Sequence, residues 1–388
     1  MAFLLLFSLI TLTASATPKD NAIVNEEVFV PETVNDSLSL SCKSAVLMEA
    51  STGQVLYAQN ANEALPPASV TKIMTLLLVM EAIDSGRIAL TDTVSASEHA
   101  VSMGGSQIYL KQGETMTVED LLKSVVISSA NDAAVALAEY VSGDVSVFIR
   151  QMNEKAAELG MKDTRFENVT GLDDTAQNHL TSAMDIALMS RALIEHDTIL
   201  KYSSIWMDTI RNGAFGLTNT NRLVRFYPGA TGLKTGSTSK AGFCVSATAQ
   251  RDGLSLICVI MGAESRDVRN AQATKLLDWG FANYACFTSP SEETESVRVL
   301  GSVGASVKTI REDFSCVLPK EAIARIESRT VMMENLCAPL ECGACVGYTE
   351  YLLDGKVVGR ADIVTQTDVA RIRFWEIWQR LLAKAMLF

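Results

Sequence analysis

The spacing of apolar positions changes character several times along the chain. Ala45-Val46-Leu47-Met48-Glu49 and Val55-Leu56-Tyr57-Ala58 flank Ser51-Thr52-Gly53-Gln54, which predicts a hairpin that turns at a glycine. Leu65-Pro66-Pro67 then leads into a run from Ile73 to Met80 that is apolar on nearly every side. Prolines suit the segment just ahead of a helix, so this stretch predicts a core helix starting near Ser69. From Val118 to Tyr140 the apolar spacing predicts two helical pieces, interrupted by the cap- and turn-forming residues Ser128-Ser129-Ala130-Asn131-Asp132. Val147 to Leu159 and Thr181 to Ile194 predict further helices. Near Gly229 the pattern becomes β-rich, with Phe243 to Thr248 and Leu254 to Met261 joined by Arg251-Asp252-Gly253, and Ala271 to Phe281 predicts a closing helix. Strands, a long helical insertion and strands again describe an α+β domain over residues 39–287, with helices packed on an antiparallel sheet.

The composition shifts at Thr288-Ser289-Pro290-Ser291-Glu292-Glu293, read as a linker. Short alternating runs follow at Val297 and Val299, and Cys345 to Leu352 and Lys356 to Val364 flank an Asp354-Gly355 turn. This predicts a small β-rich domain over 288–366. Over 367–388, Phe374, Trp375, Ile377, Trp378, Leu381, Leu382, Ala385 and Phe388 share one helical face, opposite Arg373, Glu376, Arg380 and Lys384. Two tryptophans on the apolar face with basic residues opposite suit a helix lying in a bilayer interface better than one docked on its own protein. The segment is too short and too charged to span. At the other end, an apolar run from Phe3 to Leu12 followed by Ala14-Ser15-Ala16 has the form of an export signal over residues 1–16. The polar, acidic stretch over 17–38 reads as a tether.

A chain of 388 residues with 48% hydrophobic and 20% charged residues has material for two or three domains. A net charge of −12 argues against nucleic acid as a partner. Eight cysteines accord with an exported protein. Cys337, Cys342 and Cys345 are clustered, and Cys316 is a possible fourth ligand, but no second tight pair or nearby histidine accompanies them. Disulfides or free thiols are therefore expected rather than a zinc site.

The candidate chemistry starts at Ser69 and Lys72, which lie one helical turn apart on one face. A desolvated lysine beside a hydroxyl can take its proton. The pair alone is ambiguous, because Ser237-Thr238-Ser239-Lys240 repeats the spacing and a serine at a helix start is usually a cap. Ser129-Ala130-Asn131 adds a second hydroxyl and an amide between two helices, and Lys234-Thr235-Gly236 begins a strand after a glycine-rich approach. Acyl transfer needs a nucleophile, a proton path to the leaving amine, an oxyanion hole and a substrate clamp. Ser69 would attack, Lys72 would take its proton and Ser129 would relay it. Asn131 would hold a substrate amide, Lys234 and Thr235 a carboxylate, and Gly236 would let the substrate lie close to the strand. The backbone N–H groups of Ser69 and Ser237 would form the oxyanion hole. A Ser-His-Asp triad is a poor rival, since only His99, His179 and His196 are present and no G-x-S-x-G occurs.

With S-x-x-K, S-x-N and K-T-G in this order, the chain resembles the penicillin-recognising serine enzymes. Within them it is similar to the low-molecular-weight penicillin-binding proteins that are D-alanyl-D-alanine carboxypeptidases. Pro67 to Thr75, Ser129 to Ala133 and Thr231 to Gly236 carry the likeness, together with Phe166 to Leu172 and His179 to Asp185. Ala130 stands where the family commonly has glycine, and Ser237 where some members have histidine. The resemblance implies a β-lactamase/transpeptidase-like catalytic domain with a helical subdomain. It also implies removal of the terminal D-Ala from peptidoglycan stem pentapeptides through an acyl-serine, inhibition by β-lactams, and no metal or other cofactor. With the export signal and the terminal helix, it places the protein at the outer face of the cytoplasmic membrane. A D,D-endopeptidase shares the chemistry. A serine β-lactamase fits less well, because Glu167-Asn168-Val169-Thr170-Gly171 does not resemble the deacylating loop of class A enzymes. Intact Ser69, Lys72, Ser129 and Lys234 weigh against an inert cell-wall scaffold, and the lack of a signalling segment weighs against a β-lactam sensor.

Overall fold

The structure is a computed structural model that describes residues 38–173, 176–304 and 306–386; the side chains of Arg380 and Lys384 are not described. The export signal expected over 1–16 and nearly all of the tether over 17–38 lie outside the described residues. The first domain is built on strands β1 (Ser44–Glu49), β2 (Val55–Gln59), β3 (Ala230–Thr238), β4 (Gly242–Arg251) and β5 (Leu254–Ala263). They form one antiparallel sheet in the order β2-β1-β5-β4-β3. The β4–β5 turn holds Asp252 and Gly253 at φ 49° and 80°, as a two-residue hairpin of the primed type requires.

Between β2 and β3 the chain makes the helices α1 (Lys72–Asp84), α2 (Val118–Ser128), α3 (Asn131–Ser142), α4 (Val145–Glu158) and α5 (Ala183–Ile194), and α6 (Arg266–Asn283) follows β5. Alternation along the strands divides the sheet's side chains between two cores. Val46, Met48, Ile257, Val259 and Met261 face the helical subdomain, whereas Ala45, Leu47, Leu256, Cys258 and Ile260 face α6. Helix α1 is buried from Lys72 through Met80, which is why its sequence carries no polar stripe. Its buried aliphatic side chains, Ile73, Met74, Leu76, Leu77, Leu78, Val79 and Met80, each contribute roughly 1.5–3 kcal/mol. A lysine at the start of this helix is therefore held in the least aqueous part of the molecule.

Two strands, β6 (Tyr284–Ser289) and β9 (Phe314–Pro319), pair where the chain leaves α6, and Val317 and Tyr284 pack into the α6 core. The second sheet has the order β7-β8-β12-β11-β10, from β7 (Glu292–Arg298), β8 (Ser306–Arg311), β10 (Ile326–Met332), β11 (Cys345–Leu353) and β12 (Lys356–Thr365). The polar stretch over 288–293, expected to be a linker, is mostly strand. Ladder pairing uses backbone groups and asks little of side chains, so only Pro290 and Ser291 remain outside it. All eight cysteines are free thiols. Helix α7 (Phe374–Ala385) ends the described chain.

Candidate active site

Ser69 lies in a single 3-10 turn, Ala68–Thr71, that feeds directly into α1. The helix thus begins at Lys72 rather than at the serine, yet the two side chains meet as the spacing predicts. Lys72 Nζ donates to Ser69 Oγ at 2.9 Å and to the Thr170 carbonyl at 2.8 Å. Lys72 is fully buried, and burial, with Lys234 adding to it, holds its pKa well below the ordinary lysine value. A neutral amine there has a lone pair for the serine proton.

The turn is fixed from below. His179 Nδ1 accepts from the Glu167 N–H at 2.9 Å, which leaves Nε2–H to donate to Thr71 Oγ1 at 2.7 Å; Thr71 donates onward to the Ala68 carbonyl. Burial lowers the His179 pKa to about 4, so the ring is neutral and this tautomer persists. Asn168 Oδ1 accepts the N–H groups of Thr170 and Gly171 and thereby aims the Thr170 carbonyl at Lys72. Gly171, at φ 81°, lies so close to the turn that a Cβ would sit 1.8 Å from the Ala68 carbonyl oxygen.

Ser129 follows α2 at φ 65°, a left-handed conformation that costs a non-glycine residue roughly 1–3 kcal/mol. Its hydroxyl is buried and has no hydrogen-bond partner among the described residues. Asn131 is the first residue of α3 rather than part of a loop; its Nδ2 donates to the Gly104 carbonyl at 2.7 Å, while its Oδ1 is buried and unpaired among the described residues. Buried polar atoms without partners are costly.

Strand β3 is an edge of the sheet, so one side of its backbone is free of strand partners. Lys234 is sealed beneath it with Nζ donating to the Thr235 carbonyl at 2.9 Å; burial, then the nearby Arg269, lowers its pKa to about 7. Gly236 has a role that spacing did not disclose. A Cβ there would lie 2.7 Å from the Ser69 nitrogen and 2.9 Å from that of Val70, so the glycine lets the nucleophile turn press against the strand.

These groups meet at a cleft of about 700 Å³ lined by Ser69, Ser129, Thr235, Gly236 and Ser237. Lys72 and Lys234 lie beneath its surface. Asn131 stands behind Ser106, which lines the cleft and whose carbonyl accepts the Asn131 N–H at 2.7 Å. Sequence reasoning missed Arg269, a lining residue only 3% exposed. Its signal was present: Arg269, Ala273, Leu276, Leu277 and Gly280 share the buried face of α6. An arginine on an apolar stripe needs a reason.

Residues 31–265, more than half of the chain, match the family described as D-alanyl-D-alanine carboxypeptidase, peptidase family S11. The chain belongs to that family. Residues 289–371 match a second family, the C-terminal domain of penicillin-binding protein 5. Among curated carboxypeptidases of this kind, DacF of Bacillus subtilis is 41% identical over 89% of this chain and 90% of its own length. DacC of Escherichia coli is 33% identical over 92% and 91%. The solved structure of penicillin-binding protein 5 from Haemophilus influenzae superposes with a TM-score of 0.74 at 33% identity, over 86% of this chain and 98% of that one. An ampicillin-bound structure of penicillin-binding protein D2 from Listeria monocytogenes has a TM-score of 0.58 at 34% identity, over 63% of this chain and 99% of that one.

Proposed function

We propose that this chain is a serine D-Ala-D-Ala carboxypeptidase that removes the terminal D-Ala of peptidoglycan stem pentapeptides, with Ser69 as nucleophile and Lys72 as base. The observation that carries the assignment is the 2.9 Å contact between a fully buried lysine and Ser69 Oγ. Neutral Lys72 takes the Ser69 proton as Oγ attacks the penultimate D-Ala carbonyl. The backbone N–H groups of Ser69 and Ser237 stabilise the oxyanion. The Ser129 hydroxyl passes the proton to the departing D-Ala amine, and Asn131 Oδ1 is available for a peptide N–H of the substrate. Lys234, Thr235 and Arg269 bind the terminal carboxylate, and water then hydrolyses the ester by the reverse proton path. β-Lactams acylate the same serine, a reading supported by the ampicillin complex of the Listeria relative.

The envelope placement belongs to the same proposal: residues 1–16 direct export, 17–38 tether, 39–287 catalyse, 288–366 form the second domain and 367–388 anchor the chain to the outer face of the membrane. Among the described residues no helix is long and apolar enough to cross a bilayer. Phe374 and Trp375 on α7 are 75% and 66% exposed, which supports an interfacial anchor over docking on the protein itself.

Ser69→Ala is expected to abolish both labelling by a fluorescent penicillin and D-Ala release from a pentapeptide, read by mass spectrometry. A variant still labelled on another serine would overturn the assignment.

A further inference from the structure

Ser106 reaches the cleft from a loop over residues 102–114 that has no helix or strand of its own. Two neighbouring residues at the start of α3 hold this loop. The Asn131 N–H and Nδ2 donate to the carbonyls of Ser106 and Gly104, each at 2.7 Å. Asp132 does the converse. Its Oδ2 accepts the N–H groups of Ile108 and Leu110 at 3.1 Å, and its Oδ1 accepts that of Ala133 at 2.9 Å. From outside, Arg211 donates to the Ile108 carbonyl at 2.8 Å and pairs with Glu114 at 2.7 Å.

Asp132 is 1% exposed, and among the described residues all its partners are backbone N–H groups, none a cationic side chain. A carboxylate in the first turn of a helix suits the helix dipole, and the loop bonds alone would explain an acceptor there. A buried charge is nevertheless costly unless another charge answers it. Helix α1 packs on α3, which brings Asp132 into the surroundings of Lys72. Lys72 faces Lys234 from β3 and Asp132 from α3, while the neutral His179 ring lies behind Thr71. Burial foremost, then Lys234, lowers the Lys72 pKa; the Asp132 carboxylate opposes both.

We infer that Asp132 is a positioning residue for acyl transfer, one that fixes the Ser106 loop and balances the buried charge around the base. The inference rests on Lys72 being the base, and Asp132 acts through that lysine and the loop rather than from the cleft, which it does not line. The loop bonds place Ser106 at the cleft wall, with Asn131 behind it. The charge decides at which pH the amine offers its lone pair to Ser69 Oγ. An opposite charge favours protonation, so removing it makes Lys72 neutral at lower pH. Asp132 follows the S-x-N triplet directly, so one short stretch supplies Ser129, Asn131 and the residue that holds their surroundings.

The test follows D-Ala release from a pentapeptide across pH, with three variants of the full chain beside the wild type. Asp132→Asn keeps the shape and removes the charge, so the rising limb of kcat/KM is expected to move to lower pH. Asp132→Ser also gives up the loop's acceptors, and its plateau kcat is expected to fall by about 10²-fold, as for a displacement of about 1 Å near the chemistry. Arg211→Gln loosens the same loop from outside and is expected to leave the rising limb at the wild-type pH. A rising limb that stays in place in Asp132→Asn, or moves as far in Arg211→Gln, would overturn the inference, as would a wild-type plateau in Asp132→Ser. Failure of both Asp132 variants to fold would overturn it too, by making the aspartate a structural anchor alone. If instead Lys72 is not the base, Lys72→Arg, whose guanidinium stays protonated, retains pentapeptide turnover, a failure distinct from these.

Discussion

Lys234 in the first domain and Glu350 in the second are almost equally sealed from solvent, at 1% and 3% exposure, yet their surroundings treat them in opposite ways. Glu350 is clasped by guanidinium groups from Arg329 and Arg360, the latter with Nη2 to Oε1 at 2.9 Å. The hydrogen bond from Arg329 foremost, with Arg360 adding, holds its pKa below the usual carboxylate range. Its charge is settled and it fastens strands β10, β11 and β12 together. Lys234, and Lys72 with it, has no carboxylate partner among the described residues, only hydroxyl and carbonyl oxygens. Burial without a counter-ion lowers both pKa values, that of Lys72 well below the ordinary lysine value and that of Lys234 to about 7. Satisfied charge builds the second domain, and unsatisfied charge prepares the first for chemistry.

Two glycines separate these uses of close packing, and they carry the largest effect expected. Gly236→Ala would push a methyl group against the backbone nitrogens of Ser69 and Val70. Because displacement of reacting groups by about 1 Å costs on the order of 10²-fold in rate, kcat for D-Ala release is expected to fall by that much or more. Gly359→Ala meets Phe314 instead, with the new Cβ 2.2 Å from its ring, which stacks on Tyr351 at 4.5 Å. Overpacking of this kind destabilises by about 1–3 kcal/mol. Thermal unfolding of the Gly359 variant should shift downward while pentapeptide kcat stays at the wild-type value. A Gly236 variant with normal kcat, or a Gly359 variant with impaired kcat, would break the division between the domains.

The same contrast explains what could be read from the sequence. The Asp252-Gly253 and Asp354-Gly355 turns and the all-apolar α1 were legible because local chemistry dictates them. The grouping of the candidate residues was legible as a pattern: Ser69, Ser129, Thr235, Gly236 and Ser237 line one cleft, with Lys72 bonded to Ser69 and Lys234 to the Thr235 carbonyl, whereas Asn131 does not line it. Strand β10 was not, because five of its seven residues are exposed and show no apolar alternation. Arg269 was missed because the expected helix began two residues too late to include it. The packing of Gly236 on Ser69, and the strain at Ser129, are tertiary facts with no local signature.

The two lysines also set a pH profile, with smaller effects of up to tenfold per pH unit on each limb. On the proposed mechanism acylation needs Lys72 neutral, so activity is expected to rise with pH until that lysine has lost its proton, below the ordinary lysine range. If Lys234 binds the carboxylate as proposed, it must be charged, and with its pKa at about 7 kcat/KM is expected to fall as pH climbs through that value. The descending limb should therefore depend on the substrate's carboxylate. A peptide ending in D-Ala-D-alaninamide, though poorer throughout, is expected to keep the rising limb and lose the falling one. An identical falling limb for acid and amide substrates would mean that Lys234 does not read the carboxylate.

The smallest effect on catalysis is expected from removing α7 altogether. The chain is tied to the second domain up to the Ile372 N–H, which donates to the Gly301 carbonyl at 2.7 Å, and by the bridge between Leu340 and Val369. Beyond Arg373 the apolar residues of α7 face outward, Trp378 and Leu381 among them at 48% and 56% exposure. A chain lacking residues 1–16 and ending at Arg373 keeps those ties and should match the longer chain in kcat/KM on a soluble pentapeptide. The two should differ on vesicles containing anionic lipid, where interfacial burial of the apolar face is the main attraction. The longer chain is expected to co-sediment and the shorter one to remain in solution. Equal sedimentation would move the anchor to another surface, and a drop in soluble turnover would mean that α7 supports the catalytic domain after all.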